Sequence, residues 1–392
     1  MQAVRELIEL ENSFALFNSS TSTPEYIGRF GNDTRDILFE PLNRLTSDYS
    51  TAWGKDSCRA RVNVDFSKFL LYSSGINTGI GVENPSTDIE VRNGIAYLTA
   101  DSPTSSAHDF FIIDMRDPRV PSILSSITTG PGLSALDIAG PYVYTANIGT
   151  TNQLQIIDIH NRSTPIILSR YRLPLPRASS TAPFASAIFY DKGLIYLGTE
   201  KWEGHEFNII DVANPASPQY LGSFETNTLV KNIYVRDGLA YVAGSDINQM
   251  RILDVQNPSS ISLVANFSPS GWETQEGNII SFFEEQFSLG RTTGGFNNIS
   301  NHELFIFSTT SMPTVRFSRD IPGGVYGIVH RPPYIYLATH FLNKEFQVRD
   351  ENMSIIFEKT LGFSPSAMSC DAQDFYFATG DNRGVAVMRQ SP

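Results

Sequence analysis

Four aspartates close apolar runs of similar composition, and each stands just before a turn rich in Pro, Asn or Ser. They are Asp114, Asp158, Asp211 and Asp254. A carboxylate could serve as a general acid or base, but catalysis needs one constellation of groups rather than four equivalent copies. An Asp that precedes a turn accepts backbone N–H bonds and fixes that turn. We therefore predict that these aspartates are structural.

The histidines offer no recognisable metal or catalytic motif. There are six: His108, His160, His205, His302, His330 and His340. No HExxH or CxxC spacing is present, and the short acidic stretches lack the alternating oxygen ligands of a calcium loop. Nucleophile-elbow, P-loop and dinucleotide-binding glycine motifs are also absent from the sequence. We predict no catalytic residue, no metal site and no cofactor.

Candidate ligand contacts lie in segments that differ between otherwise similar units. His205 and Trp202 belong to the polar segment "EKWEGHEF", and Trp272 belongs to "SPSGWETQEGN". Other candidates come four residues after a recurring aromatic, at a position whose residue type changes from unit to unit: Asp101, Glu200, Arg291 and His340. An exposed Trp beside His and Glu is typical of contact surfaces. The sequence thus predicts a binding face built from these seven residues.

A repeated pattern must position them. "FNIIDVANPASPQYLGSF" is one of several copies of an apolar run, a Pro-rich turn and a second run. The recurring aromatics return at intervals of 40 to 52 residues, and they are Tyr97, Tyr144, Tyr196, Tyr241, Phe287, Tyr336 and Tyr376. Each unit holds four short strand-like runs separated by turn residues, which describes one blade of a propeller. We predict an all-β, seven-bladed β-propeller of four-stranded antiparallel blades.

The last unit stops at "VAVMRQSP", after its third strand. The run "RARVNVDFSKFLLYS", residues 59–73, has the character of the missing strand, and we expect it to complete the seventh blade and close the ring. Cys58 would then enter beside the blade that carries Cys370. These are the only two cysteines in the sequence. A disulfide between them is predicted, and two separate buried thiols are the alternative.

The first 57 residues differ from the rest. Their apolar residues fall at helical spacing: Val4, Leu7, Ile8, Phe14 and Ala15. This pattern predicts an amphipathic helix, so we divide the chain into a helical N-terminal segment, 1–57, and a propeller, 58–392.

Composition restricts the partners. The net charge is −12, with no basic run, which disfavours nucleic acid and anionic membranes. Only 18% of the residues are charged, a fraction common in secreted proteins. We expect an extracellular or cell-surface location, with anchoring through an N-terminal segment that would precede Met1.

The runs "FIID", "QIID", "NIID" and "RILD", followed by NPxxP-like turns, resemble the LVIVD-repeat family of β-propellers over residues 88 to 392. The resemblance implies an extracellular propeller and no catalytic mechanism. The N-terminal pattern faintly resembles a type IV pilin helix without its apolar half, which implies a pilus subunit or tip adhesin.

We expect a binding or adhesion module for a protein or carbohydrate ligand on a cell surface, with self-assembly through the N-terminal helix. One alternative is a propeller-channel enzyme such as a metal-assisted hydrolase, and another is a purely structural surface subunit.

Overall fold

A computed structural model describes most of the chain. The described residues are 7–10, 13–17, 24–29, 57–58, 64–73, 85–102, 106–176, 181–268, 276–292, 302–309, 313–331, 333–372, 374–381 and 384–390. Within them the structure is almost entirely β, with one 3-10 helix at Phe66–Lys68. Two compact units are formed, Met1–Thr51 and Ala52–Pro392.

The described part of the N-terminal unit is a sheet of three strands, Leu7–Leu10, Ser13–Phe17 and Pro24–Arg29. Leu10 pairs directly with Ser13 in the antiparallel register. The predicted helix is therefore wrong for these residues. Apolar runs of four or five residues fit a strand as readily as a helix, and a turn-forming Asn12 stands between the first two runs.

The described residues of the larger unit form seven sheets, one for each predicted blade, and the four blade strands of each sheet are antiparallel. The inner strands are Ser86–Arg92, Leu133–Ala139, Ala185–Asp191, Val230–Arg236, Gly277–Phe283, Val325–Arg331 and Ala367–Ala372. The second strands are Ile95–Ala100, Tyr142–Asn147, Leu194–Thr199, Leu239–Gly244, Gln286–Arg291, Tyr334–Thr339 and Asp374–Ala378. The third strands are Phe110–Asp114, Leu154–Asp158, Phe207–Asp211, Met250–Asp254, Leu304–Ser308, Phe346–Asp350 and Val385–Gln390. The outer strands are Ser122–Ile127, Ile166–Tyr171, Gln219–Phe224, Ser262–Phe267, Val315–Arg319, Ile355–Lys359 and Phe69–Ser73. The predicted seven-bladed propeller is confirmed.

Tight turns join inner and second strands. Asn93 and Gly94 both have positive φ, of 54° and 71°, and Asp237 and Gly238 repeat this with 53° and 77°. Two successive residues with positive φ form the hairpin turn whose twist matches the flanking strands, which explains the Asn-Gly and Asp-Gly pairs. These turns all lie at one end of the propeller. We call the opposite end, where the second strands finish, the mouth of the central channel.

The outer strands of blades one to six share an irregularity. Each has a register shift at the same place relative to its third strand, for example between Ile112 and Ile113 in blade one and between Ile209 and Ile210 in blade three. A bulge bends a strand and disrupts its free edge, and this protects exposed edges from pairing with other chains. The recurrence of the bulge is consistent with such protection.

Blade seven joins the two ends of the propeller. Its outer strand, Phe69–Ser73, pairs antiparallel with Val385–Gln390, from Gln390 opposite Phe69 to Ala386 opposite Ser73. On the channel side of the same sheet, Ser57–Cys58 runs parallel to the inner strand, with Cys58 opposite Ala372. Cys370 lies in that inner strand, is fully buried and is not a free thiol.

Aromatic packing between blades forms much of the core. Six second strands carry Tyr at their third residue. In blades two and four this ring packs on an aromatic ring of the next inner strand, as Tyr144 does on Tyr190 at 5.1 Å between ring centroids. In blade five the register places Ser288 at this position, one residue after Phe287. His330 of blade six fills the space, and its Nε2 lies 2.9 Å from Ser288 Oγ.

Candidate functional site

The four repeated aspartates lie at the end of the propeller opposite the mouth. Oδ1 of Asp211 accepts the N–H of Ala213 at 2.8 Å, and Oδ1 of Asp254 accepts the N–H of Gln256 at 3.0 Å. Asp114 and Asp158 make the same bond to the residue two positions later. The predicted turn-fixing role is confirmed.

A ring of hydrogen bonds joins the inner strands near the mouth. The second residue of the inner strand donates from its side chain to the first carbonyl of the next inner strand, as Ser134 does to Ala185 at 2.7 Å. The same bond occurs at three further junctions, Thr87 to Leu133, Ser186 to Val230 and Asn278 to Val325. At a fourth, the donor is Ser366, which stands just before the inner strand of blade seven, and the acceptor is the carbonyl of Ser86. A short polar side chain at this position is therefore part of the scaffold.

Two junctions use large side chains instead, Lys231 in blade four and Tyr326 in blade six. The ammonium of Lys231 forms an ion pair with Glu276, the residue that precedes the inner strand of blade five. Tyr326 stacks on His340, with ring centroids 3.4 Å apart and planes 6° from parallel. Nε2 of His340 then donates to the carbonyl of Pro365 at 3.0 Å, and so takes the place of the missing short donor.

These four residues form one electrostatically connected group, because the Glu276 carboxylate also acts on Tyr326 and contributes to its raised pKa. We call Lys231, Glu276, Tyr326 and His340 the mouth cluster. All four are only partly buried. Lys231 belongs to blade four, Glu276 precedes the inner strand of blade five, and Tyr326 and His340 both belong to blade six. The contact of His340 with Pro365 extends the cluster to the junction of blades six and seven.

Burial determines the protonation of the two rings. It lowers the pKa of His340, so the imidazole is neutral at pH 7 and carries its hydrogen on the Nε2 that faces the Pro365 carbonyl. Burial is also the larger cause of the raised pKa of Tyr326, with Glu276 adding to it. The cluster therefore presents one cation, one carboxylate and two neutral rings that can form hydrogen bonds.

Around the rest of the mouth, in blades one to five, the residue after the second strand donates its backbone N–H to the segment that enters the inner strand of the same blade. Asp101 donates to Pro85, Glu200 to Phe184 and Thr292 to Glu276. Four residues after the third residue of each second strand, the residue type varies: Asp101, Ile148, Glu200, Ser245, Thr292, His340 and Gly380. Arg291 stands one residue earlier in its blade than the other predicted contacts do.

The predicted contact residues thus separate into groups. Asp101, Glu200 and His340 lie at the mouth. Trp202 and His205 lie in the segment between the second and third strands of blade three, where Trp202 Nε1 donates to the carbonyl of His205 at 3.2 Å. His205 Nδ1 lies 2.7 Å from Oγ of Ser223 in the outer strand. Trp272 is outside the described residues.

Arg291 is buried and extends under its own blade. Nη1 donates to the carbonyl of His302 at 2.9 Å, and the guanidinium lies over the Phe305 ring, 5.3 Å from its centroid. Burial lowers its pKa to about 10, while the nearby Glu303 acts in the opposite direction. These contacts place the Arg291 side chain in the interior of its own blade.

One repeated feature was not predicted. An acidic residue or Gln precedes six of the third strands. At five of these positions its side chain accepts an N–H of the segment that leaves the outer strand, as Asp109 does from Thr129 at 2.7 Å. Equivalent acceptors are Gln153, Glu206, Glu303 and Glu345. His108, His205 and His302 stand before three of these carboxylates. The recurring His-Asp or His-Glu pair is the signal of this feature in the sequence.

Burial raises the pKa of Asp109 to about 6 and that of Glu303 to about 7. Both carboxyls nevertheless accept backbone N–H bonds, which act in the opposite direction. Perturbed carboxyls often mark active sites, but here they recur with one scaffold role at the same place in several blades.

In the part of the chain that the structure describes, no three His, Cys, Asp or Glu side chains converge as a metal ion would require. Among those same residues no helix is long and apolar enough to cross a membrane.

A family model for the LVIVD repeat matches residues 134–172, 203–226 and 229–268. No curated protein matches the sequence. Among solved structures, the chain is similar to the WD40 β-propeller domain of Doa1, with 10% identity and a TM-score of 0.55 over 80% of this chain and 95% of that one.

Hydrazine synthase of Kuenenia stuttgartiensis aligns with 12% identity and a TM-score of 0.58 over 80% of this chain and 97% of that one. The periplasmic gluconolactonase PpgL of Pseudomonas aeruginosa aligns with 8% identity and a TM-score of 0.55 over 69% and 84%. At these identities the likeness concerns the fold alone.

Proposed function

We propose that the chain, a seven-bladed β-propeller with LVIVD repeats, is a binding module whose ligand is held at the mouth of the channel. The observation that supports this most strongly is the contrast between frame and mouth. Five inner-strand junctions repeat one hydrogen bond, whereas the remaining two carry the mouth cluster of Lys231, Glu276, Tyr326 and His340. Joining the blades explains the five repeated hydrogen bonds, but it does not require larger side chains at the other two junctions.

A protein ligand fits the geometry best. The varied residues lie around one end of the channel on a rigid frame, and loops on a rigid scaffold are common contact surfaces for partners. The likeness to the Doa1 domain concerns the fold and does not identify a ligand. A carbohydrate is the alternative ligand, since Tyr326 offers an aromatic ring at the mouth.

We further propose that the protein works outside the cell or on its surface, as part of an adhesive appendage or a comparable assembly. The low proportion of charged residues supports this, and so do the two cysteines. Cys370 is buried and is not a free thiol, and the strand that carries Cys58 is paired beside it. A Cys58–Cys370 disulfide would require an oxidising compartment.

Binding is tested with the full chain on arrays of surface proteins and glycans. Ile148→Trp and Ser245→Trp place bulk at the mouth, and Ser260→Trp places the same bulk on an exposed turn at the opposite end. We expect the two mouth variants to lose a ligand that Ser260→Trp retains. Equal binding by all three variants would contradict a mouth site.

Location is tested in cells that produce the full-length protein. Protease added to intact cells should cleave it if it is surface-exposed. Cleavage that occurs only after lysis would place the protein inside and would remove the surface role.

A further inference from the structure

We propose that the mouth cluster accepts a basic side chain, Lys or Arg, from a protein partner, with Glu276 and Tyr326 as the groups that receive it. This inference rests on the proposed function, because it names the ligand chemistry of the same site. Three features of the mouth support it: its charge, the ion pair it contains and the ring beside that pair.

The mouth carries more negative than positive charge. Asp101, Glu200 and Glu276 contribute carboxylates, whereas the described cations next to them are Lys231 and the exposed Lys201. The whole chain carries a net charge of −12, so the long-range field also attracts a cation. Complementary charge of this kind steers association and suppresses partners of the wrong sign.

Lys231 shows how a cation is held there. Its ammonium is paired with Glu276, yet the side chains remain 22% and 35% exposed, so the pair is at the surface of the mouth. Exposed ion pairs between flexible side chains contribute little stability and exchange readily. An arriving ammonium or guanidinium can therefore share or replace the Lys231 contact with the carboxylate.

The ring beside Glu276 suits the same ligand. His340 covers one side of the Tyr326 ring by stacking, and the ring remains partly exposed. A carboxylate next to an aromatic ring is a favourable site for a guanidinium, which can pair with the first and stack on the second. An anionic ligand would need Lys231, whose charge Glu276 already neutralises.

Two substitutions of opposite effect test this on the full chain. The probes are a fluorescein-labelled peptide with two arginines between Gly and Ser residues, and the same peptide with two glutamates in their place. Lys231→Met removes the internal competitor and should strengthen binding of the arginine peptide by roughly three- to tenfold, as measured by fluorescence anisotropy. Glu276→Gln should weaken it by a similar factor.

The chain offers a matched control. Lys344 and Glu358 form an ion pair at 2.8 Å in blade six, with Glu358 on the outer strand. Lys344→Met and Glu358→Gln change the net charge by the same amounts and should alter binding less than twofold.

Other results overturn the inference. Stronger binding of the glutamate peptide, weaker binding after Lys231→Met, or equal effects of the mouth and control variants would each show that the cluster does not select a cation. In any of these cases a ligand lost with Ser245→Trp but kept with Ser260→Trp would still support binding at the mouth, so the two proposals can fail separately.

Discussion

The ring of His340 lies against that of Tyr326, with centroids 3.4 Å apart, and its Nε2 donates to Pro365 at the junction of blades six and seven. At five other junctions a Ser, Thr or Asn in the inner strand or just before it provides this bond. Because Tyr326 occupies the position of the short donor, His340 completes the circle of hydrogen bonds between blades and also belongs to the mouth cluster.

A double-mutant cycle tests whether His340 provides the hydrogen bond that a short side chain provides at the other junctions. His340→Ala should cost about 1–2 kcal/mol in the free energy of unfolding, because the Pro365 carbonyl loses its donor. In the background Tyr326→Ser, a serine can provide the bond as in other blades, so the same His340→Ala change should cost about 1 kcal/mol less. Denaturant unfolding measures both. Ser186→Ala, at an ordinary junction, is the control, and additive effects would contradict the coupling.

The buried carboxyls predict a stability that depends on pH. Burial raises the pKa of Asp109 to about 6 and that of Glu303 to about 7, above the values of 3.8 and 4.5 for exposed groups. The folded state therefore binds these protons more tightly, and the stability this contributes is complete below about pH 4 and is lost as the pH rises through 6 to 7.

Thermal unfolding should consequently give a higher midpoint at about pH 5 than at about pH 7.5, other groups being equal. Asp109→Asn and Glu303→Gln keep an oxygen to accept the bonds from Thr129 and Ile321 and should flatten the dependence. Glu358→Gln, on an outer strand, is the matched control. A slope unchanged by both buried variants would show that these carboxyls do not cause it.

The proposed Cys58–Cys370 disulfide predicts that reduction changes both the mass and the stability of the protein. Reduction and alkylation should reveal two thiols that do not react in the unreduced protein. Cys58→Ser should lower the free energy of unfolding by about 2–5 kcal/mol, because a cross-link over most of the chain restricts the unfolded state. The control is Cys58→Ser under reducing conditions, where it should differ little from the reduced parent. Alkylation of both thiols without reduction would contradict the disulfide.

Gly204 is predicted to be intolerant of a side chain. A Cβ at this position would overlap the indole of Trp202, so Gly204→Ala should displace the ring. The displaced indole would lose its bond to the His205 carbonyl, and its fluorescence should shift to longer wavelength. Gly193→Ala is a control for space, since its nearest contact would be 3.8 Å away, although its positive φ makes it locally strained. An unchanged emission maximum in Gly204→Ala would contradict the packing.

The propeller itself was predictable because its signals are local and repeated. Alternation of apolar runs and turn residues appears in every unit, and the bond from Ala213 to Asp211 spans only two residues. Helix and strand could not be separated in the first 57 residues, where runs such as "LIEL" are too short to show a period. A one-residue slip also hid the register of blade five, because Phe287 resembled the expected Tyr while Ser288 occupied its position.

The sequence by itself determined the four-stranded unit, the number of blades and the structural character of the repeated aspartates, because each depends on residues close together in the chain. Only the tertiary structure brought Lys231 to Glu276 and Glu276 to Tyr326, since residues from blades four, five and six meet only when the blades pack around one axis. Tyr326 and His340 meet at the end of one strand pair of blade six. The same packing placed His340 at the mouth and left Trp202 in a contact with its own blade. The residues predicted to form one binding face thus differ in how deeply they are buried and in which part of the blade they contact. A repeat pattern in the sequence carries no information on either property.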